Sequence, residues 1–128
     1  MRTLLPTTLL LTIVLIVGCS QSGDFGAFLV PQVAKYGGHT RLTGVVPELH
    51  ARWTVRQGAN GFTAHITDVP FSAVDGFMRE VYGAPNISID AGLNNEKKRV
   101  WGAADIGVGI QLISHKNDME IICVKGGP

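Results

Sequence analysis

The chain begins with an apolar segment that has the features of a signal sequence and is shorter than a typical transmembrane helix. Arg2 is followed by fourteen residues, from Leu4 to Val17, in which Pro6 and three threonines are the only interruptions. A permanent transmembrane helix needs about 20 apolar residues to cross roughly 30 Å of hydrocarbon. A positive start, a short apolar stretch and a small residue at its end are typical of a cleaved signal. Cleavage after Gly18 would leave 110 residues, the size of one domain.

The end of this segment, Leu15-Ile16-Val17-Gly18-Cys19, resembles the lipobox of bacterial lipoproteins. The resemblance implies cleavage between Gly18 and Cys19 and acylation of Cys19, palmitate included, so that the membrane is a partner through the lipid anchor. Because Ser20 and not Asp follows, the family's sorting convention implies the outer membrane, facing the periplasm, in a host with two membranes. The alternatives are an ordinary secretory signal and a short N-terminal anchor.

Charge and cysteine content argue against two classes of function, nucleic-acid binding and thiol chemistry. Without Arg2 the chain has ten basic and ten acidic residues and a formal net charge of zero. It therefore lacks the excess of basic residues that is typical of nucleic-acid-binding domains. The only basic run, Lys97 to Arg99, is interpreted as a solvated loop or edge strand. Cys123 is then the only other cysteine, and its place in an alternating segment favours a buried, unreactive side chain over a reactive thiol or an intermolecular bridge.

Two alternating segments around Gly58-Ala59-Asn60-Gly61 predict a β-hairpin with a loop of two or four residues. One face is predicted to point to the core and the other to water. The core-facing residues are Trp53, Val55, Phe62, Ala64 and Ile66. The water-facing residues are Thr54, Arg56, Thr63, His65 and Thr67.

Residues 72–82 follow the helical spacing of an apolar stripe. Its members are Val74, Phe77, Met78, Val81 and Tyr82. Ser72 and Asp75 fit a capping box at its start, and Gly83 with Pro85 ends it. We expect Gly76 to allow a close approach of this helix to the sheet.

Further strands are predicted after the helix, at 87–91 and in a last hairpin of 106–113 with 119–124, and the segment from Arg99 to Gly102 could add another. A four-residue loop there would pair Leu112 with Met119. The fold class is therefore α+β, with a mostly antiparallel sheet of about five strands and one helix across it.

The predicted organisation is a signal peptide (1–18), a lipidated tether (19–24) and one small domain (25–128). The pattern of apolar residues at the start of the domain does not indicate one type of secondary structure. A short helix from about Pro31 to Tyr36 and a packed irregular arm are both compatible with it. Ile122 and Val124 indicate that the outer side of the last hairpin is partly covered, and the segment from Phe25 to Tyr36 could cover it.

No motif in the chain indicates catalysis. The four histidines, His39, His50, His65 and His115, match no compact metal-ligand spacing, so neither a metal nor another cofactor is expected. Asp75 and Glu80 are five residues apart on a helix, which separates them by about 140° and argues against a catalytic pair. Arg56 and His65, on the polar face of the first hairpin, are the candidate ligand-facing residues.

A second resemblance concerns residues 64–83 and 86–90, which are similar in strand–helix–strand pattern to the N-terminal modules of secretins and TonB-dependent transporters. Those modules continue into a second helix, whereas 106–113 here has a strand pattern. The leading hypothesis is a non-enzymatic envelope lipoprotein that binds or scaffolds another envelope protein. Alternatives are a periplasmic module for a small ligand or metal, a secretin-like or transporter-like module, and a cell-wall hydrolase.

Overall fold

A computed structural model describes residues 20–90, 96–116 and 118–126, so the signal segment and Cys19 lie outside the described residues. The described part contains seven strands and three helices. The strands are β1 (Gln21–Asp24), β2 (His50–Gln57), β3 (Gly61–Thr67), β4 (Ile87–Asp90), β5 (Lys97–Trp101), β6 (Val108–His115) and β7 (Asp118–Lys125). The helices are α1 (Phe25–Lys35), α2 (Phe71–Tyr82) and α3 (Ala103–Ile106).

The strands form one sheet in the order β1-β2-β3-β7-β6-β5-β4, and every neighbouring pair is antiparallel. The predicted α+β class with a mostly antiparallel sheet is confirmed. The predicted number of about five strands and one helix is wrong for the described residues. The strands beyond that number are β5, which the pattern of Arg99 to Gly102 left open, and β1, whose polar residues have no apolar alternation and are held in place by pairing with β2.

The helices pack on one face of the sheet, which we call the inner face. Alternate strand residues such as Trp53, Ala64, Ile110 and Ile121 are buried there together with the apolar stripes of α1 and α2. The first hairpin has the predicted faces, and its ladder runs to the pair Gln57 and Phe62. The five predicted stripe residues of α2 are all buried.

Two details of α2 differ from the prediction. The helix begins at Phe71 with Pro70 as its N-cap, and no side chain caps it, so the expected capping box of Ser72 and Asp75 does not form. Asp75 instead forms ion pairs with two arginines. Gly76 is exposed, with no atom of another element near the place of a Cβ, so it serves no close approach to the sheet.

The last hairpin has a different register from the one predicted. His115 pairs with Asp118, and Leu112 therefore pairs with Ile121 and not with Met119. The loop is two residues long, and Lys116 at φ 55° supplies the positive φ that such loops favour. A shift of two residues leaves each side chain on its face, so the predicted burial of Cys123 is confirmed.

The start of the domain forms regular structure in place of the short helix or arm. Asp24 accepts hydrogen bonds from the backbone N–H groups of Gly26 and Ala27, and this N-cap starts α1 six residues before Pro31. Phe25, Leu29 and Val33 are fully buried on the inner face, so the expectation that this segment covers the outer side of the last hairpin is wrong. β1 lies within the range predicted as a tether.

Candidate functional site

The face of the sheet opposite the helices, the outer face, carries two rows of side chains that follow from the strand register, because paired residues in an antiparallel sheet share a face. The first row is Ile87, Val100, Gln111, Ile122, Thr63 and Arg56. The second row is Ile89, Lys98, Ile113, Glu120, His65 and Thr54. In each row the apolar residues lie on β4, β5, β6 or β7 and the residues on β3 and β2 are polar, with Gln111 and Lys98 as polar residues among the apolar ones.

The apolar part of the outer face is uncovered by any element of the described chain. Ile87 and Ile89 of β4 are 48% and 47% exposed, and Val124 of β7 is 49% exposed. Val100, Ile113 and Ile122 are half-buried between them. Contiguous exposed apolar surface of this kind marks interaction sites more often than isolated exposed residues do.

The strand β4 is also an edge of the sheet. Within the described residues it pairs with β5 alone, and all four of its residues are exposed. An edge strand presents unpaired backbone N–H and C=O groups, which can accept a strand from another chain. The apolar part of the outer face and the open edge therefore meet at Ile87 and Ile89.

The two predicted ligand-facing residues both lie on the outer face, but they do not converge. Arg56 pairs in register with Thr63 and lines a shallow, mostly apolar recess of about 330 Å³ near the end of β7. His65 lies in the other row, opposite Thr54, and its Nε2 is 3.0 Å from Oε2 of Glu120. His65 does not line that recess.

The other described histidines are dispersed. His50 contacts Glu48 at 3.1 Å, and His115 lies 3.7 Å from Glu96, while the backbone of His39 donates to the carbonyl of Ile106. In the ranges that the structure describes, no three His, Cys, Asp or Glu side chains come close enough together to hold a metal ion.

A buried arginine is the feature that the sequence interpretation missed. Arg99 is 6% exposed, so the basic run of 97–99 is not wholly solvated as expected. Its guanidinium contacts Asp75 at 3.4 Å and Asp90 at 3.1 Å, and lies 5.1 Å from the ring centre of Phe71. It also donates to the carbonyls of Ile89 and Lys98. The alternation of Arg99 with Trp101 was the available signal that this residue faces inward.

The ion pairs of Arg99 connect β4 and β5, at the edge of the sheet, to α2. Asp75 also accepts from Arg79, one turn later on α2, at 3.1 Å. Two arginines on one carboxylate, with backbone carbonyls as further acceptors, satisfy the buried charges. The arrangement stabilises β4 beside β5, and thereby positions the exposed Ile87 and Ile89.

A groove larger than the recess beside Arg56 lies at the other end of β7. It measures about 460 Å³ and is bordered by Phe71, Lys97, Lys116 and Asp118 among others.

The titratable groups with shifted pKa values are structural. Burial raises the pKa of the Cys123 thiol to about 11, and burial together with nearby Cys123 raises the pKa of the Tyr82 hydroxyl. The backbone N–H of Leu49, followed by those of Ala27 and Gly26, lowers the pKa of Asp24 against a smaller opposing effect of burial. All three shifts move away from neutral pH, where a general acid or base would be useful.

No helix among the described residues is both long and apolar enough to cross a membrane. What the described surface offers is an uncovered apolar area on the outer face, an open edge at β4 and a recess beside Arg56. The chain matches no protein-family model, and no curated protein or solved structure is significantly similar to it.

Proposed function

We propose that the protein is a bacterial envelope lipoprotein, acylated at Cys19, whose domain binds another envelope protein without catalysing a reaction. The observation that carries the binding role is the uncovered apolar part of the outer face, which ends at the open edge of β4. A protein partner can add a strand along such an edge by backbone hydrogen bonds and cover the neighbouring side chains at the same time. Ile87 and Ile89 are the residues that such a partner would bury.

The lipid anchor rests on the sequence Leu15 to Cys19 and is compatible with where the domain begins. Gln21, the first residue of β1, follows Cys19 by two residues. One acyl chain binds a membrane only marginally, at about 0.8 kcal/mol for each buried methylene, whereas several chains anchor stably. The residue after Cys19 is Ser20, and we propose the periplasmic side of the outer membrane as the location in a host with two membranes.

A non-enzymatic role is supported by the chemistry of the described surface. The groups whose pKa values shift are the buried Tyr82 and Cys123 and the helix-capping Asp24. Each has a structural explanation, and none lines the 460 Å³ groove; Cys123 borders the 330 Å³ recess, but burial raises the pKa of its thiol, which disfavours the reactive thiolate.

The anchor is tested by labelling a bacterial host with radioactive palmitate. The wild-type protein should incorporate label, and the Cys19→Ser variant should not. A wild-type protein that stays unlabelled would remove the lipoprotein assignment.

The binding surface is tested by crosslinked affinity capture with the double variant Ile87→Ser and Ile89→Ser. We expect this variant to lose the proteins that copurify with the wild type. Val45→Ser is the matched control, because Val45 is 92% exposed and lies outside the sheet. Equal capture by the double variant and the control would refute the role of the β4 edge.

Capture with Cys19→Ser separates the two parts of the proposal. If the unanchored protein still recovers the same proteins, the domain recognises them by its own surface. If recovery is lost only when the anchor is removed, membrane placement brings the proteins together and the outer face is not the binding surface.

A further inference from the structure

The distance between the proposed acylation site and the folded domain is short. Gln21 already belongs to β1, and it is paired with Trp53 of β2. A chain spans at most about 3.6 Å per residue, so Cys19 lies within about 7 Å of Gln21. An acylated Cys19 would therefore hold one part of the domain against the bilayer, and the direction of β1 decides which part.

β1 runs antiparallel to β2, from Gln21 beside Trp53 to Asp24 beside His50. The start of β1 therefore lies toward the end of β2 that leads into the loop 58–61. We call this the anchor end of the domain. It also includes the last turn of α1, because the hydroxyl of Tyr36 donates to the carbonyl of Gly58 at 2.9 Å. The last residues of β7 belong to it too, since the N–H of Lys125 donates to the carbonyl of Asn60.

Three exposed basic side chains surround the anchor end: Lys35 of α1, Arg56 of β2 and Lys125 of β7. The Nζ of Lys35 donates to the side-chain oxygen of Gln57 at 3.2 Å, which places this charge at the same end of β2 as Arg56, on the opposite face of the sheet. The acidic residues toward the same end of the fold are Glu80 and Asp105. They lie over the other half of the sheet, since α3 contacts β6 and Trp101 of β5 donates to the carbonyl of Gly83 after α2.

The opposite end of the domain, the distal end, has the reverse charge balance. Its acidic residues include Asp24, Glu48, Asp68, Asp90, Glu96 and Asp118, and its basic residues include Arg52, Lys97 and Lys116. Arg52 is within 3.7 Å of Asp68, so part of its charge is balanced locally. An anionic surface is thus complementary to the anchor end and not to the distal end.

The anchor end also has apolar surface beside Arg56. The recess of about 330 Å³ is lined by Arg56, Phe62, Ile122 and Val124 among others, and Val124 is half exposed beside Lys125. Long basic side chains next to an apolar area suit the interface between lipid headgroups and acyl chains.

We infer that the anchor end is a membrane-contacting surface, in which Lys35, Arg56 and Lys125 bind anionic lipid headgroups and fix the orientation of the domain. This inference rests on the proposed acylation of Cys19. In this orientation the β4 edge lies six strand spacings away from β1, which is about 29 Å across the sheet. The open edge at Ile87 and Ile89 is therefore separate from Lys35, Arg56 and Lys125, so a strand partner and the lipid can bind at once, while Ile122 and Val124 lie on the outer face next to the anchor end.

The test uses the full chain, processed and acylated in a bacterial host, and then reconstituted into phosphatidylcholine vesicles with or without phosphatidylglycerol. A fluorophore is attached at Ala59→Cys, at the anchor end, or at Glu48→Cys, at the distal end. Both positions are exposed, and native Cys123 is only 1% exposed. Quenching by a lipid that carries its quencher on the headgroup measures how close each probe lies to the surface.

We expect the Ala59 probe to be quenched several-fold more than the Glu48 probe in vesicles that contain phosphatidylglycerol. The ends are about 26 Å apart, the length of the eight-residue β2. The triple variant Lys35→Gln, Arg56→Gln and Lys125→Gln should lose this contrast, since each basic residue near an anionic surface contributes about five-fold in binding. The matched control is Arg52→Gln, Lys97→Gln and Lys116→Gln, which should keep it.

The outcomes distinguish this inference from the proposed function. Equal quenching of the two probes, or stronger quenching of the Glu48 probe, would overturn the inference even when palmitate is incorporated. A contrast that survives in the Lys35, Arg56 and Lys125 variant would overturn the role of these charges. Absence of palmitate would remove the acylation itself, and with it the reason for the orientation.

Discussion

The two faces of the sheet are built from the same strands, yet helices cover the inner face and no element of the described chain covers the outer face. On β7, Ile121 points inward and is fully buried, whereas the adjacent Ile122 points outward and is half-buried. Both are isoleucines, so intrinsic hydrophobicity does not explain the difference. The inner face has three helices over it, while no element of the described chain covers the outer face. Apolar residues on the bare face therefore contribute less to folding and remain available for binding.

The largest expected effect follows directly from this comparison. Ile121→Ala should lower the free energy of unfolding by about 2–5 kcal/mol, because it removes buried methyl groups and leaves a cavity. Ile122→Ala should cost about 1 kcal/mol or less, because its site is partly solvated and can relax. Urea unfolding of the two variants measures both values. Similar losses would mean that the outer face is packed as tightly as the inner one.

The second expected effect concerns the one charged residue among the buried side chains of the described inner face, Arg99. Arg99→Met leaves Asp75 and Asp90 without their shared partner and should destabilise the fold by about 2–3 kcal/mol. This is below the usual cost of breaking a buried pair, about 3–5 kcal/mol, because Asp75 keeps Arg79 and Asp90 is 61% exposed.

Arg79→Met is the matched control for Arg99→Met, since Arg79 binds the same carboxylate but its side chain is 43% exposed. We expect a loss of about 1 kcal/mol or less, as for other surface pairs. Thermal and urea unfolding compare the two variants. If both arginines gave the same loss, burial would not be what makes Arg99 important.

The smallest expected effect concerns Asp24, which joins the edge strand β1 to the inner helix α1. Its Oδ1 accepts from Gly26 at 3.0 Å and from Leu49 at 3.0 Å. Asp24→Ala should cost about 1 kcal/mol at neutral pH, as the loss of an N-cap does, whereas Asp24→Asn retains an acceptor and should cost less.

The pH dependence of these variants follows from the lowered pKa of Asp24. The stability contributed by the carboxylate is fully present above the unfolded pKa, which is about 4, and is lost as the pH falls through the lower folded pKa. The advantage of the wild type over Asp24→Asn should therefore be constant above about pH 5 and shrink below about pH 4. Urea unfolding over this range measures it. An advantage that did not change with pH would show that the charge of Asp24 is unimportant.

Much of the sheet could be predicted because its faces are encoded by local alternation. The strands around the first hairpin place Trp53 and Ile66 inward and Thr54 and His65 outward, as the period of two requires. The apolar stripe of α2 and its end at Gly83 are equally local, since Gly83 has a φ of 88° that favours glycine. The candidate site was predicted only in part, because alternation identifies an outer face without telling which apolar residues on it stay uncovered.

The elements that were not predicted depend on partners that are distant in the sequence. β1 has no pattern of its own and exists by pairing Gln21 with Trp53. The interior position of Pro31 in α1 argued against a helix that begins at Phe25, but burial of Leu29 and Val33 and the cap by Asp24 outweigh one lost hydrogen bond.

The sequence by itself determined which residues alternate, where α2 lies and where a signal-like segment precedes a cysteine. Only the tertiary structure decided that Arg99 is buried against Asp75, that three helices share one face, and that β1 starts beside Trp53, toward the end of β2 that carries Arg56. The physical reason is the range of the interactions. Periodicity and turn chemistry act over a few residues, whereas the ion pair of Arg99 and the pairing of β1 join residues more than twenty positions apart.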